Sequence, residues 1–333
     1  MEPWDVVVIG GGILGTSVSY WLANQYDARI AVLEKEENVA VHTSHRNTGV
    51  VHRPFYLDPK ARRVFARSSQ TAYGMWKAYA RDRKLPWSPV GTFEVATRPE
   101  DVKRVEKYYH WGLENGMGED ELELLTSEEV RKYEPNVRCF GAIWSKTDTG
   151  VDYQLFTRYL RRDAEEAGVE FLLGFDAKSI AVGEDLLTIH NHQGADPVRT
   201  RFLINCAGGN SIRVAHMMGI GREYGDLNFR GEYWEIGKEW TNLATHNIYT
   251  VARHLSSRFS TLTGSSGPTA DAKLGQTPSP SRARTHTRVS SGVHLWRSRS
   301  SLNPQSGTRW HCCTTGTFSP LRVRSGCRPF PRK

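Results

Sequence analysis

Near the start of the chain, Gly10-Gly11-Gly12-Ile13-Leu14-Gly15 matches the spacing G-x-G-x-x-G. Alone the pattern is weak, but here it has its full context. It follows the apolar run Asp5–Ile9 and opens a helical segment near Leu14. A second apolar run, Arg29–Leu33, comes next and ends at Glu34. In that setting Gly10 permits a tight turn, Gly12 lets backbone approach a pyrophosphate, and Gly15 lets helix pack on strand. Amides at the helix start, around Ile13 and Leu14, offer N–H groups and the positive end of the helix dipole to phosphate oxygens. Glu34 follows Gly15 by 19 residues, where a carboxylate accepts hydrogen bonds from ribose hydroxyls, with Lys35 beside it. The predicted chemistry is dinucleotide binding; the alternative is a glycine-rich turn without a ligand.

A second glycine-bearing strand end, Ile204-Asn205-Cys206-Ala207-Gly208-Gly209, lies far downstream. Ala207 and Gly208 place small residues where backbone approaches a cofactor. A motif at the N-terminus with a distant second element favours FAD held by a split domain over NAD. No metal site is predicted, because His311, Cys312, Cys313 and Cys327 lack metal-ligand spacing. Cys206 reads as a buried strand-end thiol, and His42 and His45 as surface residues of a loop.

The elements that must position these groups alternate between strands and helices. A helix is predicted from about Leu14 to Tyr26, a polar loop over residues 38–59, and a helix over about Lys60 to Lys84. Thr92 to Thr97 alternates as a strand does. Thr126-Ser127-Glu128-Glu129 matches a capping box opening a short helix that ends before Pro135. An amphipathic helix spans Tyr153 to Ala167 and is closed by Gly168; strands follow at Val169–Leu173 and Phe202–Cys206. Phe229 to Ile236 reads as a strand of a second, more antiparallel region.

Charge divides the chain in two. Of 44 basic and 36 acidic residues, 13 basic and one acidic lie from His254 onward, leaving 31 and 35 in residues 1–253. The body therefore carries −4 and the tail +12. The tail holds no Glu, Ile, Tyr or Met and is crowded with Ser, Thr, Arg, Gly and Pro, a composition predicted to stay disordered. Its charge comes without RGG or RS repeats or interleaved aromatics, which argues against a nucleic-acid partner. No stretch approaches the ~18 apolar residues of a transmembrane helix. The acidic start MEPWD shows no secretory signal, so a cytoplasmic protein is expected.

VVVIGGGILGTSVSYWLA, VLEKE, HTSHRNTGVVH, GVDYQLFTRYLRRDAEEAGVEF, FLINCAGG and FRGEYWEIG together resemble the D-amino-acid-oxidase superfamily of FAD enzymes. The likeness is nearest to L-2-hydroxyglutarate dehydrogenases and covers about residues 4 to 253. It implies an α/β (α+β overall) fold: a Rossmann-like FAD-binding domain with an antiparallel-sheet substrate domain. It implies hydride transfer from C2 of a small 2-hydroxy acid to flavin, with oxygen or a quinone as final acceptor. In the loop Thr43 to His52, Arg46, Asn47, Thr48 and Gly49 offer donors and close backbone to pyrophosphate and flavin. His52 is a candidate base for the substrate hydroxyl, since imidazole titrates near neutral pH; holding the loop is its other reading. Arg230 and Tyr233 are candidates for clamping a substrate carboxylate. Strand alternation, however, puts Arg230 and Tyr233 on opposite faces, and a surface salt bridge is the alternative for Arg230.

On this reading residues 1–85 and 151–215 form the FAD-binding domain, 86–150 and 216–253 the substrate domain, and 254–333 a tail. The family's remaining substrate strands and C-terminal glycine-rich segment are not legible there. A frameshift near residue 254 accounts for this. Written AGT TCC CGT TTC TCG ACC, residues 256–261 read from one nucleotide earlier give EFPFLD, and the same shift carried on reaches a family-like GPNA turn. A chain lacking those strands is expected to fold poorly, bind flavin weakly and turn over little. Two other functions stay open. One is a superfamily member acting on glycerol 3-phosphate or a secondary amine such as an N-methyl amino acid. The other is a non-catalytic nucleotide-binding protein whose basic tail recruits nucleic acid.

Overall fold

The computed structural model describes residues 2–226 and 242–252, with the backbone alone of strands at 229–235, 263–266 and 272–280. The described residues divide into two compact units: those within 1–46 and 153–230 form the first, those within 47–152 and 231–279 the second.

The first unit begins with β1 (Trp4–Ile9), α1 (Ile13–Gln25) and β2 (Ile30–Leu33). The chain then enters the second unit as β3 (Val50–Val51), α2 (Arg63–Arg83), β4 (Thr92–Ala96), α3 (Val102–Glu114), β5 (Leu122–Thr126), α4 (Ser127–Tyr133), β6 (Gly141–Ser145) and β7 (Thr149–Gly150). It returns to the first as α5 (Tyr153–Glu166), β8 (Glu170–Leu172), β9 (Ala177–Val182), β10 (Leu187–Asn191), β11 (Val198–Asn205) and α6 (Ser211–Met217). Strands β12 (Phe229–Glu235), β13 (Asn247–Thr250), β14 (Thr263–Ser266) and β15 (Ala272–Pro280) follow.

In the first unit six strands stand in the order β8-β2-β1-β11-β10-β9. β1 runs parallel to β2 and β11, and β2 parallel to β8, while β10 pairs antiparallel with β9 and β11. Strands β1 and β2 are apolar on both faces, as a covered parallel sheet requires. Val7, Ile9, Ala31 and Leu33 join one core, with Ile180 and Ile189. Val6, Val8, Ile30 and Val32 join the other, with Ala23 of α1 and Ala164 of α5. Phe156, Leu160 and Ala164 recur every fourth residue along α5 and are buried together as its inward stripe.

The second unit holds a seven-stranded sheet, β12-β15-β14-β13-β4-β6-β5. β14 pairs antiparallel with β13 and β15, and β6 antiparallel with β4 and β5, while β13 lies parallel to β4. Phe93 and Val95 face Leu125, Val130 and Ala142 on one side. On the other side Ala96 and Ile143 pack with Val105 and Tyr108 of α3, Phe55 and Met117. That second face turns polar toward Thr92 and Ser145, which are register partners.

Several expectations are corrected here. Residues 47–85, read as part of the FAD-binding domain, group with the second unit, because α2 is tied there. Its Gln70 Oε1 accepts from the Arg53 guanidinium (2.8 Å), and its Tyr73 hydroxyl donates to the Thr147 carbonyl (2.9 Å). The loop over 38–59 contains a strand, since Val50 and Val51 pair antiparallel with β7. Helix α3 and strands β5, β6, β9, β10 and β13 were not anticipated. In the stretch expected to be disordered, β14 and β15 form an antiparallel pair carried by β13, whose edge backbone groups find partners there. The remainder of 254–333 lies outside the described residues, so its predicted disorder does too. The capping box of α4 is present: Glu129 N donates to Thr126 Oγ1 (3.3 Å) and Thr126 N to Glu129 Oε2 (2.8 Å).

Candidate functional site

In the first unit the ends of β1, β2 and β11 meet the start of α1. Gly10 has φ +112°, and a side-chain carbon there would lie 2.3 Å from the Cys206 carbonyl oxygen and 3.1 Å from Ala207 Cα. A carbon on Gly15 would lie 1.9 Å from the Gly10 carbonyl oxygen. Both positions therefore require glycine, one for the turn and one for the approach of helix to strand. Gly12 caps α1 without a side chain, and no acid stands in the first turn. The helix start thus keeps its positive end for an anion. Ser44 reaches this point, its Oγ accepting from Ile13 N at 2.9 Å. Leu14 is largely exposed.

Glu34 is buried at the end of β2. Its Oε2 accepts from Gly11 N (2.6 Å) and its Oε1 from Glu36 N (2.9 Å), so the carboxylate braces the glycine turn. An ionised carboxylate has about four acceptor sites, which leaves two for ribose hydroxyls. Lys35 pairs with Glu36 at 3.2 Å, and His42 bonds the same Glu36 oxygen at 2.7 Å. The His42 bond holds the Glu36 carboxyl below its usual range against the effect of burial. Ala207 N donates to Asn205 Oδ1 (3.2 Å), and Gly208, at φ +56°, begins the turn that follows β11. A glycine turn of this shape, with no acid in the first turn of α1 and the small Ser44 hydroxyl at Ile13 N, fits the pyrophosphate half of FAD. The first unit therefore brings Gly10, Gly12, Ile13, Leu14, Gly15, Glu34, Ala207 and Gly208 to one sheet end.

Arg46 closes the first segment of this unit, and Asn47 opens the second unit. Asn47 Oδ1 accepts from Gly49 N at 2.8 Å, a local turn that leads into β3. Thr48 lies in that turn, partly buried. His52 follows β3 and is partly buried. Its Nδ1 lies 2.8 Å from Oδ2 of Asp148, a side chain with no solvent exposure. The same Asp148 accepts from Ser145 Oγ (2.6 Å), Thr92 Oγ1 (2.9 Å) and Arg53 N (3.1 Å). The Tyr249 ring meets the imidazole edge-on with centroids 5.2 Å apart. Next to His52, the buried Arg53 grips Glu121 with both terminal nitrogens (2.6 and 3.0 Å). Glu94 of β4 is pushed up to about 8, first by burial and then by the Asp148 charge, with Arg104 opposing.

Ser44, Thr92, Glu94, Ser145 and Asp148 were missed in the sequence. Ser44 stood inside the loop singled out, but nothing local shows that it returns to the helix start. Nothing in the sequence around Asp148-Thr149-Gly150 singled out the aspartate. The backbone of β12 forms as expected, while the side chains of Arg230 and Tyr233 lie outside the described residues. Cys206 is half-buried, and burial raises its thiol above the usual range. Among the described residues no three His, Cys, Asp or Glu side chains cluster to hold a metal ion. The cluster His311, Cys312, Cys313 and Cys327 lies outside them. No helix among the described residues is long and apolar enough to cross a membrane.

Comparison with known proteins places this arrangement. The family model described as FAD dependent oxidoreductase matches residues 5–317, running past Arg253, where the sequence reading stopped. The mitochondrial L-2-hydroxyglutarate dehydrogenase of Bos taurus is 30% identical over 262 residues, covering 75% of this chain and 56% of that protein. The L-2-hydroxyglutarate dehydrogenase of Escherichia coli K12 is 30% identical over 252 residues, covering 74% and 58%. The chain thus spans somewhat over half the length of these relatives. Among solved structures, L-alpha-glycerophosphate oxidase from Mycoplasma pneumoniae with FAD bound superposes with TM-score 0.73 at 20% identity, covering 84% of this chain and 72% of that one. L-proline dehydrogenase from P. horikoshii gives 0.71 at 19%, covering 86% and 73%. At these identities the two structures share the fold. With the glycine turn, the braced carboxylate and the family match agreeing, this chain belongs to the FAD-dependent oxidoreductase family.

Proposed function

We propose that this protein oxidises a small 2-hydroxy acid of the L-2-hydroxyglutarate type to the 2-oxo acid, with oxygen or a quinone removing the electrons. The observation that carries the reading is His52, whose Nδ1 is held by a buried carboxylate. Its Nε2 makes no hydrogen bond among the described residues. The curated relatives support the substrate class, because they are L-2-hydroxyglutarate dehydrogenases.

FAD, when bound, supplies a two-electron acceptor. The protein supplies the rest. Gly10, Gly12, Ile13, Leu14 and Gly15 hold the pyrophosphate, and Glu34 with Lys35 serves the ribose. Arg46, Asn47, Thr48, Gly49, Ala207 and Gly208 bring donors and close backbone to the cofactor. His52 Nε2 takes the proton of the C2 hydroxyl, so that the C2 hydrogen departs with its electron pair. Arg230 and Tyr233 hold the substrate carboxylate.

The tail from residue 254 is proposed to be out of frame, and this chain to be impaired in consequence. The test is anaerobic reduction of bound flavin, followed by its visible absorbance, in this chain and in the protein translated from the restored frame. Addition of L-2-hydroxyglutarate should bleach the flavin of the restored protein. Bleaching by glycerol 3-phosphate or an N-methyl amino acid alone would replace the substrate reading with another of the same family. Salt-sensitive nucleic-acid binding lost on deleting 254–333 would replace it with the non-catalytic reading. The proposed location is the cytoplasm, with peripheral membrane contact where a quinone is the acceptor.

A further inference from the structure

We infer that Asp148 is the positioning residue of His52, fixing the imidazole as the tautomer that carries its proton on Nδ1. The inference rests on the reading of His52 as the base and adds a residue to it. Four groups converge on the Asp148 carboxylate, which is fully buried: Arg53 N and Ser145 Oγ on Oδ1, Thr92 Oγ1 and His52 Nδ1 on Oδ2. An ionised carboxylate accepts and cannot donate, and offers about four acceptor sites. Arg53 N–H donates by necessity, and the two hydroxyls orient as donors. The fourth site belongs to the imidazole, which must then present Nδ1–H. Nε2 is left with its lone pair, the form in which it takes a proton from a hydroxyl.

The support is itself rigid. Thr92 and Ser145 are register partners on β4 and β6, so the two hydroxyls that grip Asp148 ride on paired strands. Asp148 follows β6 by three residues, and the backbone bond from Gly91 N to the Asp148 carbonyl (2.9 Å) fixes it to the approach of β4. The Tyr249 ring limits rotation of the imidazole from β13.

Asp148→Asn discriminates sharply. Its amide oxygen must face the obligate donor Arg53 N, which puts the amide nitrogen opposite His52 Nδ1. That nitrogen donates, so the imidazole proton moves to Nε2 and the ring keeps its place with the wrong tautomer.

The experiment uses the full chain with nitrogen-15 histidine, His52 being assigned by its loss in His52→Gln. Above the titration of the ring, nuclear magnetic resonance should show Nδ1 protonated in the wild type and Nε2 protonated in Asp148→Asn. A wild-type ring protonated at Nε2, or mixed between tautomers as in a free imidazole or an unfolded chain, would overturn the inference even if the variant fails to fold. Flavin reduction by L-2-hydroxyglutarate, in the protein translated from the restored frame, gives the second readout. Asp148→Asn should slow it by about 10²–10⁴-fold, with KM little changed and no added loss in a His52→Gln background. A reversed tautomer without any reduction by hydroxy acids keeps the positioning role and removes the substrate reading. Reduction with the opposite wild-type tautomer does the converse.

Discussion

Glu94→Gln should stabilise the protein above neutral pH and leave it unchanged in mild acid. Glu94 lies on β4, partly buried, and the nearby charge of Asp148 adds to burial in raising its carboxyl from 4.5 to about 8. A raised carboxylate is a destabilising group: the folded state binds the proton more tightly than the unfolded chain. The penalty is absent below about pH 4.5, grows as pH rises, and levels off above about pH 8. At about 1.4 kcal/mol for each pKa unit the ceiling is about 5 kcal/mol, and near neutral pH about 3 kcal/mol. Glu94 retains some solvent access, which reduces the expected gain to ~1–3 kcal/mol. Glutamine keeps the shape and does not titrate. Urea unfolding of wild type and variant at about pH 5, 7 and 9 reads the difference directly. The gap between the two midpoints should open with pH. Parallel curves, or a variant less stable at the alkaline end, would refute the placement of a desolvated carboxyl beside Asp148.

Gly15→Ala should abolish flavin retention and destabilise the first unit by about 3 kcal/mol or more, because the added carbon meets the Gly10 carbonyl; gel filtration of protein loaded with FAD measures it. Glu134→Ala should cost about 3–5 kcal/mol at neutral pH by denaturant unfolding, since it removes the buried oxygen that accepts from Thr245 N (2.8 Å), His246 N (2.8 Å) and His246 Nδ1 (2.7 Å) and leaves those donors without it. Burial works to raise the Glu134 carboxyl, but the His246 and Thr245 bonds outweigh it and hold the group below its usual value. Its contribution is therefore present above about pH 4.5 and lost as pH falls below that. Sequencing the gene from codon 240 through the stop should reveal an open alternative frame near codon 254; its absence would make the basic tail native and remove the out-of-frame account.

Much of the first unit was legible. The run from Asp5 to Glu34 has a strand, a turn, a helix and a strand within thirty residues, and each announces itself through neighbours. The same holds for α5, whose stripe repeats every fourth residue, and for α4, whose capping box closes within four. The second unit was poorly legible. Its two-residue strands β3 and β7 are too short to show alternation. Glu94 would be read as the solvent side of β4, yet it sits beside a buried carboxylate. The boundary after Arg46 was hidden because α2 looks alike in either unit until its contacts with Thr147 and Arg53 are known.

The amino-acid sequence by itself determined the glycine turn between β1 and α1, and offered His52 as a candidate. These depend on backbone sterics and on groups within a few residues of one another. Only the tertiary structure decided that Asp148, 96 residues beyond His52, receives its imidazole, and that Ser44 returns to the start of α1. Partners at that distance meet through strand register and packing of the whole sheet, which no local spacing encodes.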